Sequence, residues 1–212
     1  MAVEARGNAG KDDVLVAGGI SHWWWKSEPS LETLRSNTRD QAVIMQEAGA
    51  DLIMLEMMSD IPKMIIQIEE SQRTGLPVWV GFSCKEDDDG GIQLLYGGTL
   101  ADGIKALEGY DIPLISIMHT QEPLIDACLD VAQAHWTGPI GVYAHSGYYI
   151  PNSWTYDGVI HPDDYAASSK RWLARGVSVI GSCCGLGVEH IERLRQISVS
   201  YTHLTLPTIL LV

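Results

Sequence analysis

The chain has 212 residues, 46% of them hydrophobic, enough apolar material for one sizeable core in a single domain. Its formal net charge of −13 repels phosphate backbones and anionic lipid, so it argues against nucleic acid and membrane surfaces as partners and favours a cationic small molecule. There is no apolar run near the roughly 20 residues of a membrane helix, no signal-peptide pattern and no regular cysteine spacing, so a reducing, cytoplasmic setting is expected.

Residues 1–12 are polar and are expected to be disordered. Residues 14–17 read as a buried strand, followed by Gly18-Gly19 and the loop Ile20-Ser21-His22-Trp23-Trp24-Trp25. A helix is predicted over 31–48, with Ser30 as its N-cap and Gly49 as its stop. Strand 51–56, helix 62–74 and strand 77–82 follow, then an acidic, Gly-rich stretch over 85–91 that reads as a solvated loop. Helix 99–108, strand 112–118, helix 122–136, strand 139–144, helix 162–175, strand 177–181 and helix 188–196 complete six consecutive βα units.

Strands that are apolar throughout and separated by helices imply a parallel sheet covered on both faces, with right-handed crossovers. A doubly wound sheet and a barrel both satisfy this. The placement of the polar residues separates them. Trp23, Glu56, Cys84, His119, His145 and Cys183 all fall at or just beyond the C-terminal ends of different strands. Converging strand ends are how a (β/α)8 TIM barrel assembles an active site.

The most unusual stretch is Ile180-Gly181-Ser182-Cys183-Cys184-Gly185 on a strand-to-helix loop. Neighbouring Cα atoms lie about 3.8 Å apart, short of the roughly 4.4–6.8 Å of an unstrained disulfide. That leaves metal binding or a pair of buried thiols. Cys128 falls mid-helix and reads as core.

The chain resembles the homocysteine S-methyltransferase family of zinc-dependent (β/α)8 barrels. The resemblance is carried by Val16-Ala17-Gly18-Gly19, by residues 47–56, by residues 77–85, and by the double-cysteine loop with Glu189-His190-Ile191. It implies a Zn2+ site on Cys183, Cys184 and a third ligand at the end of the strand that carries Ile115-Ser116-Ile117-Met118-His119. The family places a cysteine there, and this chain places His119. Two cysteines, one histidine and an open position are a known zinc arrangement. Exchanging a thiolate for imidazole makes the site one unit less negative, which strengthens its hold on an incoming anion and lowers the nucleophilicity of a bound thiolate.

The implied reaction moves a methyl group from a cationic donor, of S-methylmethionine, S-adenosylmethionine or betaine type, to homocysteine, giving methionine. The resemblance assigns Glu56 to the amino group of homocysteine. His145 stands where relatives carry asparagine, and is expected to touch substrate or orient His119. Trp23 and its neighbours suit a sulfonium or trimethylammonium group, although packing or contact between copies of the chain is the competing use and makes a homo-oligomer the further partner expectation. Two other readings stay open: a non-catalytic or defective zinc-binding fragment, and a related thiol methyltransferase with another acceptor.

The family pattern begins with two further βα units, so about six units are expected here as an incomplete barrel over residues 13–197. Val199-Ser200-Tyr201-Thr202-His203-Leu204 has the character of a translated sequencing adapter. Residues 198–212 are therefore expected to be a non-native tail.

Overall fold

The computed structural model describes residues 1–11, 13–21, 28–150, 153–201 and 209–210. In chain order the elements are α1 (Ala2–Asn8), β1 (Ala17–Ser21), α2 (Leu31–Glu47), β2 (Leu52–Met58), α3 (Ile61–Gln72), β3 (Val78–Phe82), β4 (Cys84–Glu86), β5 (Ile92–Leu94) and α4 (Leu100–Lys105). They continue with β6 (Ile115–Gln121), a 3-10 turn (Glu122–Leu124), α5 (Ile125–His135), β7 (Ile140–His145), β8 (Tyr148–Ile150), β9 (Ser153–Thr155), α6 (Pro162–Ala174), β10 (Val179–Ile180), α7 (Val188–Tyr201) and β11 (Ile209–Leu210).

One parallel sheet runs in the order β1-β2-β3-β6-β7-β10-β11, each strand beside the next. The six units β1α2, β2α3, β3α4, β6α5, β7α6 and β10α7 form an incomplete (β/α)8 barrel. Strand alternation sorts side chains onto two faces. Ile53, Leu55, Val78, Val80, Phe82, Ile115, Ile117, Ile140, Val142 and Ile180 join a core with Met64 and Ile68 of α3, Cys128 and Leu129 of α5, and Tyr165 and Trp172 of α6. Leu52, Met54, Trp79, Leu114, Met118, Tyr143 and Val179 form a separate cluster on the inner face. The polar strand-end residues Glu56, His145 and Cys183 share that inner parity.

Local signals place the helices. The Ser30 hydroxyl accepts the Thr33 N–H to start α2, and the Asp60 carboxylate accepts the Lys63 N–H to start α3. Each satisfies a donor that the first helical turn leaves unpaired. Between these two helices the fully buried Glu70 carboxylate receives Arg35 and Arg39, each at 2.7 Å.

Several elements depart from the sequence reading. Residues 1–12, expected to be disordered, contain helix α1, and Arg6 ties it to Asp51 at 2.5 Å and to the Val14 carbonyl at 3.1 Å. Within the stretch 85–91, Lys85 and Glu86 belong to β4 and residues 87–91 form the turn to β5 of an antiparallel hairpin, and a second antiparallel pair is made by β8 and β9. At the C-terminal end α7 runs to Tyr201, and β11 pairs with β10.

Candidate metal centre

His119 is brought inward by a break in its strand. The register of β6 against β7 shifts between Met118 and Gln121, and His119 sits there in the left-handed region with φ 44°. Met57 does the same on β2, with φ 57° at the register shift between Leu55 and Met58. These two are the non-glycine residues with positive φ among those described. A non-glycine residue there costs about 1–3 kcal/mol and persists where surrounding contacts over-determine it.

Those contacts are specific. The Met57 N–H donates to Met118 Sδ at 3.2 Å, linking the two bulges. The Ser83 hydroxyl donates to the His119 carbonyl at 3.0 Å. Buried Thr120 accepts the Cys84 N–H at 2.9 Å and donates to the Met118 carbonyl at 2.8 Å.

The double-cysteine loop is sewn to the end of β7: the Cys183 N–H reaches the Ala144 carbonyl at 2.9 Å, and the Ser146 N–H reaches the Cys184 carbonyl at 3.0 Å. Gly185 is required beside it, because with φ 80° any Cβ would overlap the Ser146 carbonyl oxygen.

His119 Nδ1 consequently lies 3.7 Å from Cys183 Sγ and 3.8 Å from Cys184 Sγ, and the two sulfurs are 3.8 Å apart. Both cysteines are free thiols. His119, Cys183 and Cys184 are the group of three ligand-type side chains among the described residues that could hold a metal ion. Hydrogen bonds from Cys183 and then His119 pull the Cys184 thiol below its ordinary pKa, while the same Cys184 partner and burial push Cys183 up.

His145 is 7% exposed and stacks on His119 with ring centroids 4.7 Å apart, tilted 60°, and it hydrogen-bonds the His119 backbone. Burial, then proximity to His119, lowers its pKa to about 4, so it is neutral at pH 7. Glu56 faces inward from β2. Burial foremost, and then the Cys184 charge, raises its pKa, and among the described residues it has no hydrogen bond or ion pair. Trp23 lies outside the described residues. Cys84 is buried and stands apart from the triad, with its thiol pKa raised by a hydrogen bond with Cys128 and by burial. Cys128 is core, as read from its helix position.

One cavity is lined by a residue of the triad, and a second lies on the inner face beside Ser182 and the N-terminal residues Arg6 and Lys11. One, about 680 Å³, is bounded by His119 and His145 with Cys84, Tyr96, Leu124 and Ala127. The other, about 580 Å³, lies on the inner face between Glu56, Tyr143, Met54, Gly19 and Ser182. Tyr143 and Ser182 were missed in the sequence because each sits inside a motif read for its neighbours. The spacing Tyr143-Ala144-His145 was the available signal, since alternate strand residues share a face.

A sequence model of the family described as homocysteine S-methyltransferase matches residues 1–198. The chain is 28% identical over 153 residues to the homocysteine S-methyltransferase YbgG of Bacillus subtilis, covering 70% of this chain and 47% of that protein. It is 25% identical over 162 residues to a selenocysteine Se-methyltransferase of Brassica oleracea, covering 73% and 45%. The chain thus spans about half the length of the curated relatives it matches. Among solved structures, the metallated form of the homocysteine methyltransferase MmuM from Escherichia coli superposes with a TM-score of 0.71 at 20% identity, over 92% of this chain and 65% of that one. At that identity the likeness is one of fold.

Proposed function

The chain belongs to the homocysteine S-methyltransferase family, and from that premise we propose that His119, Cys183 and Cys184 hold a Zn2+ ion at which homocysteine is methylated to methionine. The observation that carries this reading is the spacing of the three donor atoms. Zinc bonds of about 2.3 Å to sulfur and about 2.0–2.1 Å to nitrogen, arranged tetrahedrally, separate two sulfurs by about 3.8 Å and sulfur from nitrogen by about 3.6 Å. The separations here are 3.8, 3.7 and 3.8 Å. His119, Cys183 and Cys184 would supply three of the four donors that such an ion takes.

Bound zinc supplies Lewis acidity, lowering the pKa of a coordinated thiol into the range where it is ionised at pH 7. The protein's own residues do the remainder. Glu56 holds the ammonium group of the acceptor. His145 fixes the His119 ring and backbone, so that its nitrogen stays directed at the two sulfurs. With its thiol proton released to solvent, the acceptor sulfur forms the new S–C bond with a lone pair, and the old C–S or C–N bond breaks with its electron pair retained by the donor. A donor of S-methylmethionine, S-adenosylmethionine or betaine type leaves neutral, so no general base is needed at the methyl carbon.

Similarity to a selenocysteine Se-methyltransferase favours one second reading, in which the acceptor is another thiol or selenol. Zinc content tests the first claim: about one ion per chain, lost in Cys183→Ser and in His119→Ala. Full occupancy in His119→Ala would overturn the ligand set. Methionine formation with each of the three donors is then measured for this chain and for one extended to the length of its relatives. No methionine from either zinc-loaded protein would sink the homocysteine reading.

A further inference from the structure

Tyr143 stands in the middle of β7 with its side chain on the inner face, two residues before His145. Its hydroxyl is fully buried and has no hydrogen-bond partner among the described residues. A buried hydroxyl without a partner is costly, and a phenylalanine would fill the same space without that cost. The fold nevertheless makes room for it. The ring reaches across Met118 of β6 to β3, where residue 81 is glycine, and a Cβ at that position would stand 2.7 Å from Tyr143 Oη.

The cavity of about 580 Å³ that Tyr143 lines is also lined by Glu56 and by Ser182, the neighbour of Cys183. Glu56 likewise has neither hydrogen bond nor ion pair among the described residues. A donor without an acceptor and an acceptor without a donor thus share one space, yet they do not bond to each other. A zwitterionic α-amino acid head group satisfies both at once, with its ammonium on Glu56 and its carboxylate on the phenol. The remaining arm of such a ligand, its thiol, is then free to point along Ser182 toward the triad.

We propose that the Tyr143 hydroxyl binds the carboxylate of the acceptor amino acid, and so selects α-amino acid thiols over simple aminothiols. This rests on the acceptor reading given above. Tyr143→Phe is the informative variant because it removes one oxygen and keeps the packing.

Calorimetric titration of the zinc-loaded chain would compare L-homocysteine with 3-aminopropane-1-thiol, the same molecule without its carboxylate. The parent protein should prefer homocysteine. Tyr143→Phe should lose about tenfold in affinity for homocysteine, the scale of a hydrogen bond to a charged group, and nothing for the aminothiol. Its ligand-free melting temperature should equal or exceed the parent's, since an unsatisfied hydroxyl has been removed. Equal losses for both thiols, an unchanged preference, or a lowered melting temperature would overturn the proposal and assign Tyr143 to packing or a structural water. If the parent bound neither thiol, the acceptor reading itself would fall and take this inference with it, whereas an unaltered preference in the variant leaves that reading standing.

Discussion

At the scale of single residues, His119 carries two roles that can be separated. It offers a ring nitrogen to the triad, and it occupies a left-handed backbone position at φ 44°. Histidine and asparagine tolerate that region several-fold better than most side chains. A cysteine at this bulge would supply a ligand and meet a less favourable backbone. His119→Asn should therefore lose zinc while the metal-free protein keeps its unfolding free energy. His119→Cys should keep zinc and lower metal-free stability by about 1 kcal/mol. Zinc analysis paired with urea melts in chelator reads both, and the reverse order of stabilities would show that the bulge does not select histidine. The strand-end positions of the cysteine pair and Glu56 were legible because they follow apolar runs. Tyr143 was not, because an aromatic residue within a strand looks the same whether its hydroxyl is used or merely buried.

Between elements, α2 and α3 are joined by an ionic cluster that no motif announces. The Glu70 carboxylate is fully buried and meets Arg35 and Arg39, with Arg73 at 3.2 Å. Hydrogen bonds, from Arg39 foremost and then Arg35, hold its pKa at about 2. An unfolded glutamate titrates near 4.3, so this depressed folded value stabilises the protein above that pH, and the contribution is lost as pH falls toward about 2. Glu70→Gln should cost about 1–3 kcal/mol at neutral pH, less than a fully enclosed pair because the three arginines can return to water. The gap between parent and variant in urea midpoint should narrow steadily as pH is lowered from neutral through 4 toward 2. A gap that stays constant would remove the carboxylate charge as its cause. Helix α2, with its Ser30 cap, was readable from local pattern. The hairpins β4–β5 and β8–β9 were not, since three-residue strands leave too short an alternation to see.

For the molecule as a whole, the inner face is buried in the interior of the sheet and exposed at its β1 edge. Every residue of β7 is buried, whereas inward-facing Ala17, Gly19 and Ser21 of β1 are exposed, as are Val14 and Leu15 just before them. An uncovered strand edge invites pairing with another chain, and the net charge of −13 opposes it. Self-association should therefore rise with protein concentration and with added salt, which screens the repulsion. Sedimentation velocity at low and high salt measures this, and a monomer throughout would mean that the edge is protected. The family match ends at residue 198; we propose that residues 198–212 are a non-native tail, which sequencing of the gene tests.

The sequence by itself determined the six-unit α/β order, the strand ends that carry polar residues, and the double-cysteine loop. These follow from local rules: strand and helix periodicity, capping, and the placement of polar residues after apolar runs. Only the tertiary structure decided that His119 Nδ1 comes within 3.8 Å of both sulfurs and that Glu56 and Tyr143 share a cavity. It also turned the N-terminal residues, polar and unpatterned as a string, into a helix held by Arg6 on Asp51. Each of these depends on residues distant in the chain meeting across strands. A seven-residue helix is too short to persist without such contacts, and a left-handed turn at histidine survives because Ser83, Thr120 and Met57 bind around it.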